Sequence, residues 1–176
     1  MNGKNVFLLT LIILLIGLIY GCNRPFGRNA LQQQIEYLQQ QLAEDLSIVK
    51  LDTIQAKTLI KESEKFATQF SRDTLAPVYL FRAADVARGI GQYQQAVALW
   101  EWVQKEYPTF DKAPESLFFQ GFTYENDLGK PELARSYYER FIEKYPTHPL
   151  LATVQSSLLN LTETPAELIE RFKKQH

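Results

Sequence analysis

FSRDTLAP at residues 70–77 and YPTFDKAP at residues 107–114 are two versions of one phrase, set 37 positions apart. The correspondence continues downstream. Gly91, Ala96, Trp100, Val103, Tyr107 and Pro108 recur 38 positions later as Gly129, Ala134, Tyr138, Phe141, Tyr145 and Pro146, so the second copy carries one inserted residue. A period in this range belongs to stacked helical hairpins, in which each unit covers its neighbour's apolar face and no unit is stable alone. The expected fold is all-α, a short solenoid of antiparallel helical hairpins with flanking capping helices. In such a fold function is carried by surfaces, not by a compact catalytic motif.

Working outward, helices are expected over Thr74–Ile90 and Tyr93–Lys105, separated by Gly91, and over Asp111–Leu128 and Pro131–Lys144, separated by Gly129. Glycine tolerates the left-handed conformation that follows a helix C-terminus, and proline lacks the backbone donor that a first helical turn would leave unpaired anyway. Upstream, Asp52 with Gln55 reads as an N-cap and its reciprocal partner, starting a helix at Thr53 that runs to about Phe70. Its apolar side is Ile54, Leu59, Phe66 and Phe70, as in the second helix of a degraded first repeat. Before it, from Ala30 to Ile48, Leu31, Ile35, Leu38, Leu42 and Leu46 form one stripe opposite a glutamine-rich face. Two readings stay open for that helix: a short coiled coil that makes a weak homo-oligomer, or a helix that packs on the repeats. Downstream, Leu150 to Leu161 make a further apolar helix. Thr164, Pro165, Ala166 and Glu167 then read as a capping box for a last helix ending at about Lys174, with Leu168, Ile169 and Phe172 facing inward.

The chain has 176 residues, 45% hydrophobic and 22% charged, the balance of one globular domain plus appendages. A formal net charge of −1 provides no basic field for a polyanion, so no nucleic-acid partner is expected. The first residues carry a different message. A short start with Lys4 precedes an apolar run from Val6 to Tyr20, which fits a signal-peptide core better than a membrane-spanning helix of roughly 20 residues.

Ile19, Tyr20, Gly21 and Cys22 resemble the lipobox of bacterial lipoproteins, in which a small residue precedes the cysteine that is acylated. Tyr20 is bulkier than the usual residue there. The resemblance implies that Cys22 is the lipidation site and the membrane attachment. The expected organisation is a signal peptide over 1–21, a tether over 22–29, an amphipathic helix over 30–50, and a repeat domain with its C-terminal cap over 51–176. Asn23 is not the aspartate that, by resemblance to enterobacterial lipoproteins, would retain the protein in the inner membrane. An outer-membrane lipoprotein facing the periplasm is therefore the expected location.

The repeat itself resembles the tetratricopeptide repeat. Leu80, Ala84, Ala87, Gly91, Ala96, Trp100, Val103 and Pro108 occupy its signature positions in one unit, and Leu117, Gly121, Tyr124, Gly129, Ala134, Tyr138, Phe141 and Pro146 in the next. The paired Tyr-Pro ends, LAPVYLFRAA from Leu75, LFFQGFTYEN from Leu117 and TPAELIERF from Thr164 resemble a narrower group. These are bacterial lipoproteins with few such repeats, grouped with the periplasmic coordinator of the Tol-Pal system and with the β-barrel assembly lipoprotein. The N-terminal helix is much shorter than the coordinator's, and the repeats are fewer than in the assembly lipoprotein.

The tetratricopeptide resemblance implies a concave face lined by the first helix of each unit. Counting from Ala84 and Gly121, its contact positions become Val78, Phe81, Asp85 and Arg88 in one unit, and Glu115, Phe118, Phe122, Glu125 and Asn126 in the next. Phe118 and Phe122 would anchor a segment of an envelope protein, with Arg88 and Glu125 orienting it; the alternative is that these phenylalanines pack internally. Trp102 lies off its helix's apolar stripe, either exposed or against the following helix.

No catalytic chemistry is expected. The histidines are His148 and His176, the sole cysteine is assigned to lipid, and Gly89 and Gly91 lack the remaining residues of a phosphate loop. No cofactor or metal is expected either. The implied function is a lipid-anchored interaction scaffold in envelope assembly or maintenance, or alternatively a structural oligomer that spaces or links envelope layers.

Overall fold

A computed structural model describes residues 27–46, 52–162 and 173. The expected signal peptide, Cys22, most of the expected tether and all but residue 173 of the helix expected after Thr164 lie outside the described residues. Seven helices are described: α1 (Arg28–Leu46), α2 (Thr53–Gln69), α3 (Leu75–Gly89), α4 (Tyr93–Glu106), α5 (Ala113–Asn126), α6 (Pro131–Lys144) and α7 (Leu151–Thr162). Each packs on the one before it, and no described residue lies in a strand. The architecture is the all-α helical-repeat solenoid that the sequence period demands.

Three turns show the repeat at the level of single hydrogen bonds. Phe70, Tyr107 and Tyr145 close α2, α4 and α6, each donating its N–H to the carbonyl four residues back, at 2.8 to 2.9 Å. Their backbone angles nearly coincide, at φ −127 and ψ 49, φ −129 and ψ 56, and φ −130 and ψ 56. The next two bonds recur as well: Asp73 to Phe70 and Ala76 to Asp73 in the first turn, Phe110 to Tyr107 and Ala113 to Phe110 in the second, and His148 to Tyr145 and Leu151 to His148 in the third. The α1–α2 hairpin is thus a full first unit, with α1 as its first helix, and α7 opens a fourth. The sequence period shows only the two middle units clearly.

The other type of turn absorbs the inserted residue. Gly91 has φ 77 and Gly129 φ 60, the left-handed region in which a Cβ is strained. After α3, Gln92 N–H reaches back to the Ala87 carbonyl, a span of 92 − 87, or 5; after α5, Lys130 N–H reaches to Tyr124, a span of 130 − 124, or 6. The extra residue therefore lies between Tyr124 and Gly129 and widens that one closure.

The stripe of α1 is buried. Leu31 and Ile35 are fully inaccessible, and Leu38 and Leu42 nearly so, in one cluster with Leu59, Ile60, Phe66, Tyr79 and Leu80. Arg28 pairs with Asp73 at 2.7 Å, Tyr79 stands 3.3 Å from Glu36, and Arg82 donates to Gln39 at 2.9 Å, tying α1 to the start and middle of α3. Of the two readings of this helix, packing on the repeats is the one realised, and the seam needed for a coiled coil is already occupied.

Two details of α2 differ from expectation. Asp52 caps it, accepting from Ile54 and Gln55 N–H at 2.8 and 3.2 Å, but Gln55 Oε1 is buried without a partner, so the reciprocal half of the box is not formed. Ile54 is 76% exposed, because the inward face runs Ala56, Leu59, Ile60, Ser63, Phe66 and Ala67, and Ile54 stands nearly half a turn from it.

The core forms two clusters. One spans α1 to α4 around Phe66, Tyr79 and Trp100; the other spans α5 to α7 around Leu117, Tyr138, Phe141 and Val154. Phe119 packs against both, stacked on Trp100 at 5.4 Å and also in ring contact with Phe81 and Phe118. Gly121 permits a close approach of α5 and α6, since a Cβ there would lie 2.7 Å from Tyr138 Cε1.

Candidate functional site

The first helices α1, α3, α5 and α7 form one row and the second helices α2, α4 and α6 another. Contacts along the first row include Arg82 with Gln39 between α1 and α3, and Arg88 with Asp127 from α3 to the end of α5. Two cavities open on this row and meet at Asp85. One, of about 290 Å³, is mainly apolar and lies among Gln39, Leu42 and Ala43 of α1, Leu59 of α2, and Arg82, Asp85 and Val86 of α3. The other, of about 480 Å³, lies among Asp85, Arg88 and Gly89 of α3, Tyr93 and Trp100 of α4, and Phe119 and Asp127.

Helical spacing explains the shared wall. Arg82 and Asp85 are three residues apart, and Asp85 and Arg88 three again, so all lie on one face of α3. Arg88 Nε donates to Asp127 Oδ2 at 2.6 Å while its guanidinium lies 4.9 Å from the centre of the Phe122 ring. Arg88 is therefore engaged from two sides. Asp85 is exposed as a residue, yet the protein atoms crowding its carboxyl raise it to about 6, with Arg88 opposing in part. Two of the lining residues carry a buried donor without a hydrogen-bond partner: the amide nitrogen of Gln39 and the indole N–H of Trp100, itself only 1% exposed.

The expected contact residues divide accordingly. Asp85 and Arg88 line the cavities, joined by Arg82, Gln39 and Asp127, which the residue count did not single out. Phe81 is half-buried, in ring contact with Phe110 and Phe119. Val78 is half-buried and lines neither cavity.

Phe118 must be corrected. It is 8% exposed, stacked at 6.2 Å on Tyr138 and clustered with Val154 of α7, so it is core and not an anchor. The reason is the seventh helix, which covers the end of the row that two units alone would leave open. Phe122 is half-buried, 5.8 Å from Phe118 and under Arg88, and serves as the platform for that cation.

Glu125 is likewise engaged internally, accepting a 2.6 Å bond from the Tyr138 hydroxyl, whose phenol is raised well above its ordinary range first by burial and then by this carboxylate. Asn126 donates to its own helix at Phe122 O, and Glu115 pairs with Lys112 at 2.9 Å, with His148 Nε2 at 3.9 Å. Trp102 is half-buried against the α1–α4 cluster and walls a cleft on the opposite row. Among the described residues no group of histidine, cysteine and carboxylate side chains could hold a metal ion, and no helix is long and apolar enough to cross a membrane.

Residues 79–109 and 115–148 each match the family model described as tetratricopeptide repeat. The two stretches run from α3 into the turn after α4, and from α5 into the turn after α6. The protein is thus an all-α helical-repeat solenoid, two of whose hairpins are similar to the tetratricopeptide repeat. No curated protein matches the chain.

Proposed function

We propose that the protein is a lipid-anchored scaffold in the bacterial cell envelope, holding a segment of a protein partner along its first-helix row without turnover. The observation that carries the interaction reading is the meeting of two cavities at Asp85, one mainly apolar and one of mixed lining that includes the charged Arg88 and Asp127. A partner segment would seat an aliphatic side chain among Leu42, Leu59 and Val86 and place a cationic group beside Asp85. Support for anchoring comes from the apolar run ending at Cys22. Several acyl chains on that cysteine would hold the body to the outer membrane on its periplasmic side, since each buried methylene contributes about 0.8 kcal/mol.

Two measurements test this. Labelled palmitate should be incorporated by the wild type and not by Cys22→Ser, and equal labelling would remove the anchor. A photo-crosslinking residue at position 86, inside the apolar cavity, should trap a discrete adduct in the native envelope, while the same residue at exposed Glu139 of α6 should not. Equal yields at the two positions would remove the groove.

A further inference from the structure

The residue that breaks the repeat stands in the wall of the larger cavity on the first-helix row. Helix α3 ends at Gly89 and α5 at Asn126, a separation of 126 − 89, or 37. Between that helix end and the left-handed glycine the earlier unit has Ile90 alone, whereas the later one has Asp127 and Leu128. Leu128 keeps the apolar character of Ile90, so Asp127 is the addition. Its carboxylate turns back onto the preceding unit and accepts from Arg88 Nε at 2.6 Å.

The consequence falls on Asp85. It has an arginine three residues away on either side along α3, and each is held elsewhere: Arg82 by Gln39 at 2.9 Å, Arg88 by Asp127 and by the Phe122 ring. Among the described residues no cation pairs with Asp85. Without Asp127, Arg88 would be free to close on this neighbour on its own helix face. The addition therefore leaves one carboxylate unpaired and open to solvent, since Asp85 is an exposed residue and Tyr93 and Phe119 beside it in the cavity are half-buried. The charges lining the cavity, Asp85, Arg88 and Asp127, sum to one negative.

The chemistry of an occupant follows from what is left unused. A planar guanidinium gains most from a fork of two acceptors and an open ring face, and Arg88 already holds both Asp127 and the Phe122 ring. What remains is a single carboxylate beside the side chains of Tyr93 and Phe119, which suits a compact ammonium on an aliphatic stem. We infer that this cavity is a lysine subsite: the stem of a partner's lysine lies against Tyr93 and Phe119, its ammonium pairs with Asp85, and Asp127 is a positioning residue that keeps Arg88 from closing the site. The inference rests on the reading of the first-helix row as a groove for a partner segment and names the side chain that the groove selects; it does not depend on lipidation.

The test uses the full-length protein in detergent and three acetylated, amidated peptides in a glycine–serine frame. Each carries leucine followed two positions later by lysine, arginine or norleucine, so that both side chains fall on one side of an extended segment. The methyl resonances of Val86 report the apolar cavity. All three peptides should shift them. The lysine peptide should bind about tenfold more tightly than the norleucine peptide, the worth of one hydrogen bond to a charged group, and more tightly than the arginine peptide. Asp85→Asn should abolish that preference while Val86 still responds. Asp127→Ala should abolish it too, by releasing Arg88 onto Asp85, and adding Arg88→Gln to Asp127→Ala should restore it, which a merely structural role of Asp127 would not allow. Equal affinities for lysine and norleucine, an arginine peptide that binds as tightly, or a lysine preference that survives Asp85→Asn or Asp127→Ala overturns the proposal and leaves the groove standing. Val86 methyls that no peptide moves overturn the groove and the subsite together.

Discussion

Asp85 is the residue at which packing and recognition compete. It is flanked by Arg82 and Arg88 on its own helix and meets Gln39 and Leu42 of α1, Leu59 of α2, Tyr93 of α4 and Asp127 beyond α5 across the two cavities. Its carboxyl is raised from 3.8 to about 6 by burial. The folded protein therefore holds this proton more tightly than the unfolded chain does. The resulting stabilisation is fully present below about pH 4 and is lost as the pH rises through about 6. Asp85→Asn removes the penalty of a crowded charge. The variant is expected to melt higher than the wild type at pH 7, with the gap closing as the pH is lowered to 4. Thermal melts of the pair across that range check it, and a gap independent of pH would mean that the carboxyl is not crowded. A site that tolerates such a penalty gains from any partner cation that joins it.

At the scale of elements, the crossing of α5 and α6 is set by one missing methyl group. Alanine at position 121 would gain about 1 kcal/mol of helix propensity, but its Cβ would stand 2.7 Å from the buried Tyr138 ring, and overpacking costs about 1–3 kcal/mol. The clash wins because Tyr138 is inaccessible and bonded to Glu125, so it has nowhere to move. Gly121→Ala should lose about 1–2 kcal/mol, seen as a lower urea midpoint with an unchanged slope.

The same scale explains why α1 was ambiguous in sequence. A leucine stripe with intervals of 3 and 4 fits a partner helix or the protein's own repeats equally well. The decision falls to Arg28, Glu36 and Gln39, which find Asp73, Tyr79 and Arg82 on the same molecule. Phe118 was ambiguous for the same reason: a row of phenylalanines is groove or core according to whether α7 covers it.

For the whole molecule the decisive residue is Phe119, which packs against both core clusters. In a repeat solenoid, cooperativity depends on such interfaces between neighbouring units. Phe119→Ala should cost about 3 kcal/mol, the low end for a phenylalanine because the side chain is only half-buried. It should also separate the halves. Both tryptophans lie in α4, on the N-terminal side of the bridge, so tryptophan fluorescence and far-ultraviolet dichroism should give coincident transitions in the wild type and distinct ones in the variant. Coincident transitions in the variant would show that other contacts couple the clusters.

What the sequence by itself determined is what repeats within it: the all-α hairpins, their glycine and Tyr-Pro boundaries, and the position of the inserted residue. These follow from local chemistry, since backbone angles at Gly91 and Gly129, the cap at Asp52 and the apolar period depend only on near neighbours in the chain. What only the tertiary structure decided is how many hairpins there are and which surfaces are left open. Residue counting placed Asp85 and Arg88 on the face where the two cavities open, because position on one helix face is a local property. It missed Gln39, Arg82 and Asp127, and it placed Phe118 and Glu125 on a face where they are engaged internally. Whether a side chain is free depends on a helix from another unit, and burial and hydrogen-bond satisfaction are properties of packed neighbours that no spacing along one helix contains.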